Sequence, residues 1–375
     1  MLYIFIHFTL RQGAGHKWRC PMKRHYSFLM LTLTAMCTLI ILGCGEEKDP
    51  RQNMRLYHME ERGPRLVAEA ATVEEQAGES GTESSGGSSG STGSKTDTEV
   101  LGPEHFYFQR DIVFAETEES ELRLSLALPA QGNGPFPVIL FFPVSVWKLP
   151  ARNFFEMDMM NAACRGYAAA SFECRQCVMD ESGVNRHGFP AQLYDAKAAV
   201  RWIRANAERY GFDAGHIGAV GYSTGAHLAL LTAFTNGIKE YEGSLGDTEH
   251  SSALQAVVNF LGPVELELFY RETMRHNTIH NLMGGGPDEF PEKYLEAAPL
   301  HYVGAESPPV YSVYGELNQS LTPKHGELLD RRMKDAGVSH NLVIKLGEGW
   351  GVMPREGRGK LEDPVWSFLD SHLRK

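Results

Sequence analysis

Apolar and polar residues alternate clearly after residue 110. Between Glu121 and Leu128, leucine occupies every second position, which is typical of a strand with one buried face. The preceding stretch Asp111–Glu116 is also extended, so the two segments predict an antiparallel hairpin. Val138–Phe142 is continuously apolar, as expected for a strand covered on both faces.

Strand and helix patterns then alternate to the end of the chain. This order predicts right-handed crossovers and an α/β fold with a mostly parallel sheet, helices on its faces and an antiparallel hairpin at one edge. The predicted strands are Tyr167–Phe172, Ile217–Gly221, Leu254–Phe260, Val310–Tyr314 and Leu342–Leu346. The predicted helices are Ala191–Glu208, Gly225–Phe234, Pro323–Ala336 and Pro364–Leu373.

The first 43 residues have the pattern of an export signal. The apolar stretches Met1–Leu10 and Phe28–Leu42 are both shorter than the roughly 20 residues of a membrane-spanning helix. The second follows basic residues and ends just before Gly43 and Cys44, an arrangement that resembles a bacterial lipoprotein signal. We expect translation to start at Met22, and Cys44 to carry lipid that anchors an exported protein to the membrane. A plain signal peptide or anchor with an incidental cysteine is the alternative.

A polar stretch follows Cys44. In Gly78–Ser94, all but two residues are glycine, serine or threonine, so the segment cannot bury enough apolar surface to offset its ordering entropy. Residues 44–101 are therefore predicted to be a disordered linker, with some local helix within Arg51–Gln76. The folded domain is expected to occupy residues 102–375.

Charge excludes one class of function. The 375 residues carry a net charge of −11, which disfavours binding to the phosphates of nucleic acids.

Cys174 and Cys177 have redox-motif spacing but follow a strand and lack nearby zinc ligands. No phosphate loop appears either. Neither a metal nor a cofactor is expected.

The sharpest motif is Gly221-Tyr222-Ser223-Thr224-Gly225, a G-x-S-x-G sequence between a predicted strand and a predicted helix. This is the context of a nucleophile elbow, in which flanking glycines allow close approach and the serine hydroxyl stands on a tight turn. Ser223 is the candidate nucleophile. The backbone N–H of Thr224 is a candidate oxyanion donor.

Several segments around this motif form a wider pattern: Phe189–Ala207, Tyr210–Asp213, Gly225–Ala229, Gly262-Pro263, Met283–Gly286 and Ala298–Leu300. With the motif, they resemble the esterase/lipase family of α/β hydrolases, especially its bacterial feruloyl-esterase-like and hormone-sensitive-lipase-like groups. The similarity extends over residues 105–375. It implies an eight-stranded α/β-hydrolase sheet, a Ser-His-Asp triad and hydrolysis of plant-wall acetyl or feruloyl esters or of small acyl esters.

Three positions depart from the family pattern. Where the family has His-Gly-Gly-Gly-Trp after the third strand, this chain has Pro143-Val144-Ser145-Val146-Trp147. Ser145 and Val146 are the candidate donors there, but Val144 and Val146 resist the positive φ angles of a glycine loop, so a preformed oxyanion hole is not expected.

The acid and the base are both replaced. Asn318 stands at the aspartate position and Trp350 at the histidine position. An amide cannot stabilise an imidazolium by charge, and indole has no basic nitrogen at neutral pH. Glu265 and Glu316 are candidates for a displaced acid, and His187 or His325 for a displaced base.

These departures predict a tethered, esterase-like domain with strongly impaired catalysis that binds a small acyl ester, a carbohydrate-like ligand or a protein partner. Trp147 and Trp350 are expected to border its cleft, either filling a vacated pocket or contacting the ligand. The alternative is an active serine ester hydrolase that uses a displaced histidine and acid.

Overall fold

Strands and helices alternate along the chain, as the sequence pattern predicts. The computed structural model describes residues 49–60, 63–69, 102–147, 152–179, 185–273, 276–352 and 361–374. The strands are β1 (Arg55–Glu60), β2 (Gly63–Glu69), β3 (His105–Glu116), β4 (Glu121–Pro129), β5 (Phe136–Phe142), β6 (Ala168–Phe172), β7 (Val178–Met179), β8 (Asn185–Arg186), β9 (Phe212–Tyr222), β10 (Ala256–Phe260), β11 (Val310–Gly315) and β12 (His340–Lys345).

The helices flank these strands in the order expected for crossover connections. They are α1 (Glu156–Cys164), α2 (Ala191–Ala205), α3 (Ala207–Tyr210), α4 (Thr224–Phe234), α5 (Lys239–Glu242), α6 (Leu266–Glu272), α7 (His276–Met283), α8 (Pro291–Glu296), α9 (Pro323–Asp335) and α10 (Asp363–Leu373). Short 3-10 turns occur at Pro50–Asn53, Arg152–Phe155, Pro299–Tyr302 and Trp350–Val352.

The main sheet has the strand order β12-β11-β10-β9-β5-β6-β4-β3-β1-β2. Neighbours from β12 to β6 are parallel, whereas β4, β3, β1 and β2 join by antiparallel pairing. The predicted α/β-hydrolase fold and its β3–β4 hairpin are confirmed. Val138–Phe142 of β5 and the inner part of β9 are fully buried at the centre of this sheet, which agrees with strands covered on both faces.

The sheet has ten strands rather than eight. The eight predicted strands are present, and β1 and β2 extend the antiparallel edge. Both added strands lie in the segment predicted to be linker, so that prediction is wrong for residues 49–60 and 63–69. The expected local helix in this segment is wrong there too, because the chain forms a hairpin.

Packing explains why this segment joins the fold. Met54 is buried, and Tyr57 stacks on Phe106 of β3 with ring centroids 5.6 Å apart. β1 also satisfies its backbone groups by pairing with β3. One compact unit extends from Asp49 to Lys375, so the domain begins well before residue 102. The predictions for Met22, Cys44 and residues 70–101 concern parts of the chain outside the described residues.

Two further features bear on the site. The chain between β10 and β11 carries three short helices, α6, α7 and α8. Among the described residues, no helix combines the length and apolar character needed to cross a bilayer.

Candidate functional site

Ser223 lies on the turn between β9 and α4, at the carboxyl end of a central parallel strand. Its backbone has φ 52° and ψ −119°, a conformation that non-glycine residues rarely adopt. The Ser223 N–H donates to the carbonyl of Phe260 on β10 at 2.8 Å. This bond ties the turn to the neighbouring strand, and the geometry is that of a nucleophile elbow.

The two glycines of the motif permit this turn. A Cβ on Gly221 would lie 2.6 Å from the backbone nitrogen of Ala226. A Cβ on Gly225 would meet the carbonyl oxygens of Phe142 and Pro143. Close contact of α4 with both β9 and the end of β5 therefore requires glycine at each position, and that contact forces the serine onto a tight turn.

The loop after β5 does not follow the sequence expectation. Val146 has φ 46° and Trp147 has φ 57°, so the prediction that branched side chains would keep the loop out of positive φ is wrong for Val146. Packing stabilises the conformation: Trp147 is buried and its ring meets the His227 imidazole edge to face at 5.5 Å. Its carbonyl also accepts the Cys177 N–H at 2.7 Å.

The amides of this loop already have acceptors within the protein. The Ser145 N–H donates to the Pro143 carbonyl at 3.0 Å. The Val146 N–H donates to Thr224 Oγ1 at 3.1 Å, and the Trp147 N–H to Ser145 Oγ at 3.2 Å. The candidate donors Ser145 and Val146 are therefore occupied. The Thr224 N–H, in the first turn of α4, belongs to the amides without a partner inside the helix.

Asn318 lies in the loop after β11 and is 3% exposed. Its Oδ1 accepts the N–H groups of Ser320 at 3.1 Å and Leu321 at 2.9 Å. Its Nδ2 is buried and has no hydrogen-bond partner among the described residues. The side chain thus organises its own turn, and it carries no charge that would orient and stabilise a protonated base.

Trp350 lies in the loop after β12 and keeps 49% of its surface exposed. This loop is bonded to the one after β11: the Leu317 N–H donates to the Glu348 carbonyl at 2.8 Å, and the Gly347 N–H donates to Glu316 Oε2 at 2.9 Å. The carboxylate of Glu316, a candidate displaced acid, therefore joins the two loops.

A cavity of about 290 Å³ brings several of these residues together. Ser223 and Trp350 both line it, as the sequence predicts for the serine and the indole. Trp147 is not among its lining residues. Histidine and carboxylate side chains are also absent from its described lining, which consists of Val144, Val146, Ser223, Thr224, Phe269, Thr273, Ser320 and Trp350.

The candidate replacement bases have other partners. The His187 Nε2 lies 2.9 Å from Glu119 Oε2. His325 is fully buried, its Nδ1 accepts the Val264 N–H at 3.3 Å, and burial lowers its pKa to about 3, with Lys324 and His227 adding to the effect. All histidines from His58 onward lie in the described residues, and none forms a hydrogen bond with the Ser223 hydroxyl.

The next residues are His227, in the first turn of α4, and the candidate displaced acids Glu265 and Glu316. The His227 Nε2 donates to the Ala297 carbonyl at 2.7 Å, and burial lowers the pKa of this imidazole to about 4. Glu265 precedes α6, and burial, assisted by Glu267, raises the pKa of its carboxyl. Neither Glu265 nor Glu316 bonds a histidine in the described part of the chain.

Several residues that line the cavity were not predicted from the sequence. Phe269 lies in the middle of α6, Thr273 directly follows that helix, and Ser320 comes from the Asn318 turn. None belongs to a motif, so no sequence signal marks them. The hydroxyl of Thr224 was visible beside Ser223, but its acceptance of the Val146 N–H depends on a loop conformation that the sequence did not predict.

The arrangement has limited chemical capacity. Ser223 is largely buried and lines the cavity, but the described residues place no general base next to its alcohol, and an alcohol is a weak nucleophile without one. The valine, phenylalanine and tryptophan side chains give the cavity a mainly apolar wall. Such a wall favours binding of a small apolar or aromatic group.

Comparison with known proteins identifies relatives. The chain is 28% identical to the esterase LipC of Mycobacterium tuberculosis over 63% of this chain and 58% of the relative. It is 29% identical to the probable carboxylic ester hydrolase LipM of the same organism over 37% of this chain and 32% of the relative. The chain thus spans less than two thirds of the length of these curated relatives.

Solved structures with the same fold include the bifunctional GH43-CE protein of Bacteroides eggerthii, with a TM-score of 0.60 and 25% identity over 71% of this chain and 38% of that one. A thermophilic esterase of Thermogutta terrifontis has a TM-score of 0.55 and 24% identity over 70% of this chain and 90% of that one.

The sequence profile of the BD-FAE family matches residues 124–333, which is more than half of the chain and includes the Ser223 elbow. The protein therefore belongs to the BD-FAE family, and its folded part is an esterase-like α/β-hydrolase domain.

Proposed function

We propose that this domain is a catalytically impaired member of its esterase family that binds a small acyl or carbohydrate-like ligand in the Ser223 cavity. One observation carries the proposal: Ser223 shares its cavity with Trp350, and the described lining contains no imidazole and no carboxylate. The scaffold that positions the alcohol is present. The groups that would remove its proton are replaced or turned elsewhere.

Two separate losses lower the expected rate. A triad serine without its base typically loses on the order of 10⁶ in turnover. The Val146 N–H is also bonded to Thr224 Oγ1, so it is not directed at a developing oxyanion. Loss of one such donor typically costs a further 10²–10³ or so. Together these effects leave little hydrolysis.

The shape and chemistry of the cavity support ligand binding. Its volume of about 290 Å³ lies near the lower end of ligand pockets, which suits a short acyl chain or a single ring. The half-exposed indole of Trp350 provides a flat apolar face for a sugar or an aromatic acyl group.

Removing the serine tests the loss of catalysis. The full-length chain and its Ser223→Ala variant should hydrolyse p-nitrophenyl acetate at indistinguishable rates, and a fluorophosphonate probe should not label either protein. Ser320→Ala, which alters another cavity hydroxyl, is the matched control. Turnover or labelling that disappears only in Ser223→Ala would instead support an active hydrolase with a displaced base, drawn from His187 or His325, and a displaced acid, drawn from Glu265 or Glu316.

A second test restores the base and the acid, and then frees the Val146 N–H, to compare how much each loss lowers the rate. We expect Trp350→His with Asn318→Asp to give weak ester hydrolysis, since base and acid return while the Val146 N–H stays occupied. Adding Thr224→Ala removes the acceptor of that N–H and should raise kcat/KM by a further factor on the order of 10².

Ser223→Ala in the triple variant is the control and should abolish the gain. The role assigned to the Thr224 hydroxyl is wrong if the double and triple variants hydrolyse p-nitrophenyl acetate at the same rate.

Ligand binding is tested with methyl ferulate and ethyl butyrate as probes. Saturation-transfer NMR should detect contact between at least one probe and the wild-type chain. Trp350→Ala should weaken that binding by about fivefold, because an aromatic contact contributes about 1 kcal/mol. Leu317→Ala, an exposed apolar residue outside the cavity lining, should leave it unchanged. Equal affinities in wild type and Trp350→Ala would argue against this cavity as the binding site.

We further propose that the protein is exported and anchored to a bacterial membrane by lipid on Cys44. The basic residues, the apolar run and the small residue before this cysteine support the proposal. In the native bacterial host, Cys44→Ala should abolish incorporation of radiolabelled palmitate and release the protein from the membrane fraction. Cys164→Ala is the matched control. Unchanged labelling of Cys44→Ala would contradict the lipid anchor.

A further inference from the structure

Pairing of β1 with β3 brings two histidines together. His58 lies opposite His105 in the antiparallel register, so both side chains project from the same face of the sheet. Their ring centroids are 4.8 Å apart with the rings edge to face. These two residues are 47 positions apart in the sequence, and only the unexpected incorporation of β1 into the sheet makes them neighbours.

A carboxylate completes the group. Glu104 Oε1 lies 3.8 Å from the Nε2 of His58 and 3.4 Å from the Nδ1 of His105. One ligand atom from each of the three residues lies within 4.8 Å of the other two. His105 is buried, whereas His58 and Glu104 are partly exposed, so the group opens to solvent on one side.

Two imidazole nitrogens and one carboxylate oxygen are a donor set suited to Zn²⁺. Zinc binds such atoms at about 2.0–2.2 Å, so neighbouring ligand atoms in a tetrahedral site lie about 3.3–3.6 Å apart. The separations of 3.4 and 3.8 Å from Glu104 Oε1 approach this spacing. All three ligand atoms lie within 4.8 Å of one another, so binding the ion requires shifts of up to about 1 Å. The solvent-facing side leaves the fourth position for water.

The backbone before Glu104 accommodates this carboxylate. A Cβ on Gly102 would collide with both oxygens of the Glu104 side chain, so a residue with a side chain would displace them. The Gly102 N–H also donates to the Nδ1 of His105 at 3.1 Å. Metal binding at this nitrogen displaces that single bond, and the Gly102 N–H then turns to water.

We propose that His58, Glu104 and His105 form a Zn²⁺ site that fastens the β1–β2 hairpin to the main sheet. The site joins two segments that flank the glycine- and serine-rich stretch, and therefore adds a cross-link where the chain connection between β2 and β3 is long. It lies at the antiparallel edge, several strands from Ser223, so its role is structural and independent of the esterase-like cavity.

Metal titration tests the proposal directly. The full-length chain, prepared without an affinity tag and stripped with chelator, should bind Zn²⁺ in calorimetry and give a visible absorption band with Co²⁺. Replacing one ligand, as in His58→Gln or Glu104→Gln, should remove one equivalent of bound metal or weaken it at least tenfold. Zinc at about a hundred times its Kd should raise the wild-type Tm by roughly 4–8 °C.

The surface pair His187 and Glu119 supplies the matched control. Their imidazole and carboxylate lie 2.9 Å apart and do not belong to the three-residue cluster, so His187→Gln should leave zinc binding and the Tm shift unchanged. Zinc should also slow amide hydrogen exchange in β1 of wild type and not of His58→Gln. Unchanged affinity and Tm shift in both His58→Gln and Glu104→Gln would overturn the proposal.

Discussion

Close contact between α4 and the strands beneath it determines the geometry of this protein's site. Gly221 and Gly225 allow the helix to meet β9 and the end of β5, and the turn between them takes positive φ at Ser223. The strain of that conformation is offset by burial of the surrounding helix and strand and by the bond from Ser223 to Phe260. The position of the alcohol at the cavity is thus a consequence of packing. It does not depend on a neighbouring base.

Because the elbow forms without a neighbouring base, the residues at the acid and base positions can differ from the family pattern without loss of the fold. Asn318 satisfies two amides of its own turn, and the loop that carries Trp350 is tied to the β11 loop by backbone and Glu316 bonds. Asn318 therefore has a local structural role, whereas the loop that carries Trp350 is stabilised by bonds of its neighbours.

Periodic apolar patterns predicted most of the fold. β5, β9 and α4 were recognisable because buried strands and helices repeat with fixed periods. The first hairpin was missed because its strands are half-exposed and their stability comes from pairing with β3, a long-range contact that local composition does not encode. The G-x-S-x-G motif identified Ser223 because the elbow is formed by residues adjacent in the sequence. Phe269, Thr273 and Ser320 line the cavity only through tertiary packing.

The conformation of the Pro143–Trp147 loop does not follow from the properties of its own residues. A left-handed conformation costs a residue such as valine roughly 1–2 kcal/mol, so the sequence predicted that Val144 and Val146 would resist positive φ. Burial of Trp147 against His227 outweighs that local cost, and the resulting turn directs the Val146 amide to the Thr224 hydroxyl. The glycine pattern of a hydrolytic family is therefore not needed to form the turn. In this turn the Thr224 hydroxyl accepts the Val146 N–H, one of the amides considered as an oxyanion donor.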